Sequence, residues 1–358
     1  MPHSVTLIPG DGTGPEITEA TRRVLEATGV QFEWDVCQAG AETLAKQGTV
    51  LPEEVIDSIR RTRVALKGPI TTPMGRGQRS ANVTLRKRLD LYANLRPART
   101  YQGLRSRYDH IDLVIVRENT EDLYAGIEFQ RGSSELEELI ELIDRTTGHR
   151  LDSEAAISIK YISVAASRRI VKFAFDYARA NKRRKVTAVH KANIMRLSDG
   201  LFLSIAHEVA REYPDIQYED RIVDNMCMQL VQKPEQYDVL VLPNLYGDII
   251  SDLSAGLIGG LGVAPGANIG SQYAVFEPVH GSAPKYAGQN KVNPMAMMFS
   301  GVMLLRHLEE REAATRLELA LMQVLAEGKN VTYDLKPRPD DPTAVGTSQV
   351  ANAVIERL

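Results

Sequence analysis

Five short runs along the chain carry consecutive β-branched and aliphatic residues, and each ends in turn or polar residues: SVTLIPG (4–10), VALKGPI (64–70), DLVIVREN (112–119), KVTAVHKAN (185–193) and YDVLVLPN (237–244). Runs this short and this apolar read as strands buried on both faces, as in a largely parallel sheet. Between them the apolar spacing changes to a helical period, which predicts helices over 15–28, 53–62 and 167–183. Strands alternating with helices predict an α/β architecture with helices on the sheet faces. One stretch breaks the rhythm. From 128 to about 153 the chain is acidic and helical (SSELEELIELIDRTTG), and the strand-like EAAISIKYISV follows. That segment reads as an insertion that packs against a partner rather than the core.

Length and composition narrow the picture. A chain of 358 residues exceeds the size at which one core stops growing, so two domains are expected. With 43 basic against 46 acidic residues, the balance argues against a protein that coats nucleic acid or membrane. Cys37 and Cys227 have neither metal-type nor disulfide spacing and fit a reducing compartment. The start, MPHSVTLIPGDG, lacks the charged and apolar regions of a signal peptide, and no apolar run is long enough to span a bilayer. A cytoplasmic protein is expected.

The glycines at 10, 12 and 14 follow a strand and open a helix, as a dinucleotide fingerprint would. The spacing fails, because Pro15 stands where the third glycine is needed. Pro15 reads instead as the first helical residue, after a tight glycine turn.

Four stretches carry candidate chemistry. RSANVTLRKRLDLYANLRPAR (79–99) holds six basic residues and one acidic one. Leu85, Leu89 and Tyr92 follow a helical period there, with Ser80 and Asn82 just before it, where N-caps belong, and Arg86 one turn beyond Asn82. A hydroxyl, an amide and a guanidinium converging at a helix N-terminus suit an anion. Arg96 follows in an extended segment stiffened by Pro97, and a guanidinium grips carboxylate or phosphate bidentately. Lys87 and Arg88 read as solvated neighbours. In NLYGDIISDLSAGLIGG, Asp248 and Asp252 lie four apart at a helix start. Their repulsion is relieved either by the helix dipole alone or by a divalent cation. Arg117, Tyr124 and Lys191 stand at or just past strand ends, where open α/β sheets bind ligands, although a lone lysine or tyrosine there also fits a purely structural role. FEPVHGSAPKYAGQNKVNP, with His280, Lys285, Tyr286 and Lys291, reads as a loop that frames an adenine and a phosphate, or as an ordinary surface loop.

Together these stretches resemble the β-decarboxylating dehydrogenases: the isocitrate, homoisocitrate, 3-isopropylmalate and tartrate enzymes. The likeness runs from GDGTGPE to VTYD and includes RENTEDLYAGIE, HKANIM, the signature-like NLYGDIISDLSAGLIGG and the cofactor-loop-like HGSAPKYAG. It implies an isocitrate/isopropylmalate dehydrogenase-like fold and not a Rossmann domain. A large α/β domain of residues 1–91 and 259–358 would carry the cofactor side. A small α/β domain of residues 92–258 would form the dimer interface, with a clasp-like insertion at about 125–163. The active site would be shared across a homodimer.

The resemblance also implies roles. Arg79-Ser80-Ala81-Asn82 looks like the isocitrate type, in which serine and asparagine hold the γ-carboxylate, while Arg86, Arg96 and Arg117 take the remaining carboxylates. Mg²⁺ or Mn²⁺ would be held by Asp248, Asp252 and a partner-chain Asp224. A partner-chain Lys191 would help remove the hydroxyl proton, and Tyr124 would protonate the enolate. The cofactor would meet Thr71, His280, Gly281, Lys285, Tyr286, Val292, Asn293 and Tyr333. Lys285 and Tyr286 resemble the NADP pattern, whereas NAD-type relatives carry Asp-Ile in that place. Two positions depart from the NADP pattern: Pro337, beside Arg338, and Lys233 each stand where it has arginine. The expectation is NADP, with NAD as the alternative. Competing readings are a homoisocitrate or 3-isopropylmalate enzyme, and a non-catalytic regulatory subunit. The latter is disfavoured because Tyr124, Lys191, Asp224, Asp248 and Asp252 are all present.

Overall fold

The computed structural model describes residues 2–71 and 80–358. Twelve strands follow in order: β1 (His3–Ile8), β2 (Phe32–Val36), β3 (Val64–Lys67), β4 (Ala93–Arg99), β5 (Asp112–Glu118), β6 (Glu128–Phe129), β7 (Ile157–Ser158), β8 (Lys185–His190), β9 (Gln217–Ile222), β10 (Val239–Leu242), β11 (Pro265–Ile269) and β12 (Ala274–Pro278). Ten of them form one sheet in the order β2-β1-β3-β12-β11-β4-β5-β10-β8-β9. β1, β3, β5, β8 and β10 fall within the apolar runs, and the helices Gly14–Ala27, Glu53–Thr62 and Val164–Ala180 fall where the spacing predicts them.

The sheet is parallel on its flanks and antiparallel in the middle. β11 runs against both β12 and β4, and β4 runs against β5. The sequences of these strands, ANLRPAR, PGANI and AVFEP, are broken by Pro, Asn, Arg and Glu, so no apolar run announces them. Pro97 is tolerated because the β4–β11 ladder covers only Ala93 to Leu95, so its missing N–H removes no bond on that side. Strand alternation then gives the middle strands two unlike faces. Asn94 and Arg96 of β4, Gly266 of β11 and Glu277 of β12 line one small cavity. Leu95, Pro97, Ala267, Ile269 and Phe276 line a groove with Phe173, Tyr177 and Met303.

Helices pack on the sheet. Gly14–Ala27, Met295–His307, Arg311–Glu327 and Thr347–Ile355 pack together, with Met295–His307 on β11 and β12. Val164–Ala180 covers β5, β10 and β8. The glycine turn behaves as read: Gly10 and Gly12 have positive φ, and a Cβ on Gly12 would lie 2.2 Å from the carbonyl oxygen of Ser282. Pro15 is the second residue of the helix, one later than expected.

β6 and β7 pair only with each other and frame the helix Ser134–Thr147, capped by the Ser133 side chain on the N–H of Leu136. That helix buries only Leu136 and Ile140, and Ile127, Leu142, Leu151, Tyr161 and Val164 stay exposed around it. Of the strand-like 154–164, only Ile157–Ser158 forms a strand.

Candidate active site

Helix Ala81–Arg88 begins at Ser80, whose backbone is extended. Asn82 is inside the first turn rather than before it, because the helix starts at Ala81, earlier than a cap at Asn82 would place it. Arg86 follows one turn on and is buried, with Nη2 3.2 Å from Glu277 Oε1. Glu277 Oε2 lies 2.6 Å from the buried Lys67 ammonium, and Asn268 Nδ2 donates to Glu277 Oε1 at 2.7 Å. Burial pushes the Glu277 carboxyl up, but Lys67 and Arg86 outweigh it and hold it far below the carboxylate range. Lys67, Asn82, Arg86, Asn94, Arg96, Glu277, His280 and Gly281 surround a cavity of about 110 Å³. Substrate-type and cofactor-type residues of the sequence reading therefore meet at one place. Lys87 is not a solvated neighbour: it is half-buried, and its ammonium donates to the Ala125 carbonyl at 2.9 Å. Its long stem reaches the turn that carries Tyr124. Arg88 does sit at the surface, paired with Glu53.

The second part of the site is built on helix Asn244–Leu257, which starts just after β10. Arg117, only 1% exposed, donates from Nε to Asn244 Oδ1 at 2.9 Å and from Nη1 to Asp248 Oδ1. Gly247 makes room for it, since a Cβ there would lie 2.5 Å from Arg117 Cγ. Arg96 Nη1 reaches Ser251 Oγ at 2.6 Å, Asp248 Oδ1 at 3.3 Å and Asp252 Oδ1 at 3.5 Å. Burial lowers the pKa of Arg117 to about 10, with help from its neighbours Arg96 and Arg86; it remains a cation at neutral pH. The Tyr124 hydroxyl donates to Asp248 Oδ2, and the Arg117 guanidinium lies 4.7 Å from the centre of its ring. Burial, then the Asp248 bond, pushes the Tyr124 phenol above its ordinary value. Burial opposes the charge of Asp248, but Arg117, Tyr124 and Arg96 hold its carboxyl below the usual range. Asp252 is raised, by burial and by Asp248 beside it.

Several buried polar atoms around these residues have no partner among the described residues: Asn82 Oδ1, Arg86 Nε, Arg117 Nη2 and His280 Nε2. Each such group costs about 1–3 kcal/mol if left unsatisfied. Polar atoms held ready at this expense suit a polar ligand.

Lys191 and Asp224 form a separate pair, Nζ to Oδ1 2.5 Å, on the turn after β8 and the helix Val223–Gln232. Asp224 forms no bond with Asp248 or Asp252, and no group of three or more His, Cys, Asp or Glu side chains placed to hold a metal occurs among the described residues. Within one chain, Asp248 and Asp252 bring two carboxylates to Arg96, fewer oxygens than a divalent cation takes.

On the other side of the cavity, Thr71 is held by two contacts. Its N–H donates to Asp11 Oδ2 at 2.7 Å, and its hydroxyl lies 2.6 Å from that of Ser282. His280 donates from Nδ1 to the Gly281 carbonyl at 2.9 Å, which leaves Nε2 as an acceptor. Lys285 lies 4.7 Å from the Tyr286 ring centre, and Lys291 lies 5.5 Å from Tyr286 and 4.8 Å from Tyr333. The two tyrosine rings are 6.2 Å apart. Val292 accepts from Thr347, and Asn293 donates to Asp334 Oδ2 at 3.0 Å. Pro337, Arg338 and Lys233 are exposed.

Sequence reasoning overlooked Lys67, Asn94 and Glu277. A signal existed: a lysine and a glutamate interrupt apolar strand segments, VALK and AVFEP. Charges in buried strands are kept only when paired.

A sheet divided by an antiparallel middle, with an arginine–aspartate cluster where helix Asn244–Leu257 begins, is the architecture of a β-decarboxylating dehydrogenase. The isocitrate/isopropylmalate dehydrogenase model matches residues 4–354, and the chain belongs to that family. It is 49% identical over 357 residues to an NADP isocitrate dehydrogenase of Thermus thermophilus, covering 99% of this chain and 67% of that one. It is 48% identical over 335 residues to an NAD isocitrate dehydrogenase catalytic subunit, the mitochondrial subunit 5, of Arabidopsis thaliana, covering 93% and 84%. The crystal structure of isocitrate dehydrogenase from Methylococcus capsulatus superposes with a TM-score of 0.90 at 50% identity, covering 99% of both chains.

Proposed function

We propose that this protein converts isocitrate and NADP⁺ to 2-oxoglutarate, CO₂ and NADPH, using Mg²⁺ or Mn²⁺, as a homodimer with shared active sites. The observation that carries the reading is the guanidinium set: Arg86 and Arg96 line one cavity beside Asn82, and the buried Arg117 lies next to it, sharing Asp248 with Arg96. A tricarboxylate entering a buried site needs each charge matched. Relatives named for isocitrate, of both NAD and NADP type, support the substrate.

In this reading the arginines bind and orient the carboxylates, and Asn82 with Ser80 selects the γ-carboxylate over an alkyl group. Asp248 and Asp252, with Asp224 of the second copy, would hold the cation. When bound, it polarises the substrate's hydroxyl and carboxylate oxygens and stabilises negative charge on them. Lys191 of the second copy accepts the hydroxyl proton as hydride leaves for the nicotinamide. After CO₂ departs, Tyr124 returns a proton to the enolate carbon. A phenol held above its ordinary pKa keeps that proton available at neutral pH. Exposed apolar side chains support the dimer. Ile194 (69% exposed) and Leu197 (90%) flank the Lys191 turn, and Met228 and Val231 lie on the helix of Asp224.

The deciding assay sets isocitrate, homoisocitrate and 3-isopropylmalate side by side, each with NADP and NAD. Isocitrate with NADP is expected to have the highest kcat/KM, and a higher value for either sibling substrate would overturn the reading. Two variants refine it. Asp252→Asn is expected to raise the Mg²⁺ concentration for half-maximal rate by about tenfold or more, because one of two hard anionic ligands becomes a neutral amide. An unchanged Mg²⁺ titration would remove Asp252 from the metal site. Ser80→Asp is expected to raise the isocitrate KM about tenfold, since a carboxylate there repels the one it must hold. An unaltered KM would put Ser80 outside the pocket.

A further inference from the structure

Behind the site lies a buried ion cluster that the reaction does not use directly. The Lys160 ammonium is 2.7 Å from Asp199 Oδ1 and 3.7 Å from Asp122 Oδ1, and 4.3 Å from the centre of the Tyr246 ring. Both aspartates are fully buried, and Lys160 is nearly so. The outer oxygens of these aspartates hold backbone. Asp199 Oδ2 accepts the N–H of Lys191 at 2.7 Å. Asp122 Oδ2 accepts the N–H of Leu245 at 2.9 Å, at the start of the helix that carries Asp248 and Asp252. Asp122 also opens the 3₁₀ turn Asp122–Ala125 that presents Tyr124, at a positive φ of 67°. Its N–H is bonded back to the carbonyl of Tyr161, the residue after Lys160.

We propose that Lys160 is a positioning residue for the reaction. Its single charge holds Asp122 and Asp199 together, and through Asp122 fixes the Tyr124 turn against the start of the metal-side helix, and through Asp199 the Lys191 turn that the same chain lends to the second copy's site. The inference rests on the reading of Tyr124 and Lys191 as proton-transfer groups. The physics is that two buried carboxylates repel unless a cation lies between them. The spacing of the segments bonded to their far oxygens is therefore set by that cation. A position off Asp122 that costs strain at positive φ is kept because Asp122 must face both Lys160 and the helix start.

The test uses the full-length enzyme. Lys160→Gln removes the charge and keeps a polar side chain. The expected result is a kcat lowered about tenfold or more, with isocitrate and NADP KM values within about twofold of wild type, since the arginine cluster is untouched. Asp199→Asn is the second variant: its amide oxygen still accepts from Lys191 while the ion pair is lost, and the same kcat loss is expected. A positioning role also predicts non-additivity: in a Tyr124→Phe background, Lys160→Gln should cost less than about threefold more. Either folded variant with wild-type kcat would overturn the proposal, as would full additivity with Tyr124→Phe. So would loss of the fold in both variants, because the lysine would then be holding the fold rather than the catalytic segments. Tyr124→Phe alone separates the two levels. If it turns over normally, the acid–base reading fails; if it is impaired while Lys160→Gln is normal, only the positioning role fails.

Discussion

Tyr124→Phe is expected to lower kcat for isocitrate oxidation by about 10²–10³-fold while leaving the isocitrate KM within about threefold of wild type. The change deletes one oxygen and retains the ring. The ring's contact with Arg117, 4.7 Å from guanidinium to ring centre, therefore survives. Arg117 keeps its own bonds to Asn244 and Asp248, and Arg96 keeps its bond to Ser251, so the carboxylate-binding set stays in place. Only the hydroxyl and its proton are lost. Burial and Asp248 both oppose ionisation of the phenol, so its proton is present at neutral pH and is what the variant removes. Steady-state kinetics with isocitrate titration measures the split. Normal turnover would remove Tyr124 as the acid, and a raised KM with unchanged kcat would make it a binding residue.

Much of the fold can be read from residue pattern because the flanking strands are buried on both sides by helices. β1, β3, β5, β8 and β10 obey that rule, and their apolar runs are continuous. The middle of the sheet obeys a different rule. β4, β11 and β12 have one face turned to the cavity, so Asn94, Arg96 and Glu277 replace apolar residues at alternate positions. Period and composition then suggest only an extended segment at β4 and a loop from β12 onward. The expectation of a largely parallel sheet fails at that place, where three antiparallel pairings join the two parallel flanks.

The site follows the same division. Arg86, Arg96, Arg117, Tyr124, Asp248 and Asp252 were legible because arginine and aspartate recur at helical spacing and at strand ends, and all six converge in one cluster. Lys67 and Glu277 were not, because a buried ion pair between residues some two hundred positions apart leaves no local spacing. Lys87 was misread for a similar reason: its partner, the Ala125 carbonyl, belongs to a different segment. Asn82 shows the limit of capping rules. The helix starts at Ala81, directly after Ser80, whose side chain makes no capping bond, so a cap at Asn82 places the start two residues too late.

The wild-type enzyme is expected to have a higher kcat/KM with NADP than with NAD, and Lys285→Asp combined with Tyr286→Ile is expected to move that ratio about 10²-fold toward NAD. The argument is one of charge. Lys285 and Lys291 flank Tyr286, and Lys291 also covers Tyr333, so two ammoniums and two phenols share one exposed patch. Neither lysine has a carboxylate partner among the described residues, so the patch is net positive. Contact with Tyr333 and then with Lys285 lowers the pKa of the Tyr286 phenol, which makes it a stronger hydrogen-bond donor. A ribose phosphate gains charge-assisted bonds there, whereas a 2′-hydroxyl gains little. Replacing Lys285 by aspartate removes one cation, adds an anion that repels the phosphate and offers an acceptor to the hydroxyl. Lys291 remains in the double variant, so the shift should stop short of a full exchange of preference. Pro337 in place of an arginine, and Lys233 in place of another, limit the starting preference, because an ammonium lacks the guanidinium fork. Initial rates over both cofactors for the two proteins measure the ratio. A wild type more efficient with NAD would defeat the assignment, and an unchanged ratio in the double variant would mean that this loop does not read the phosphate.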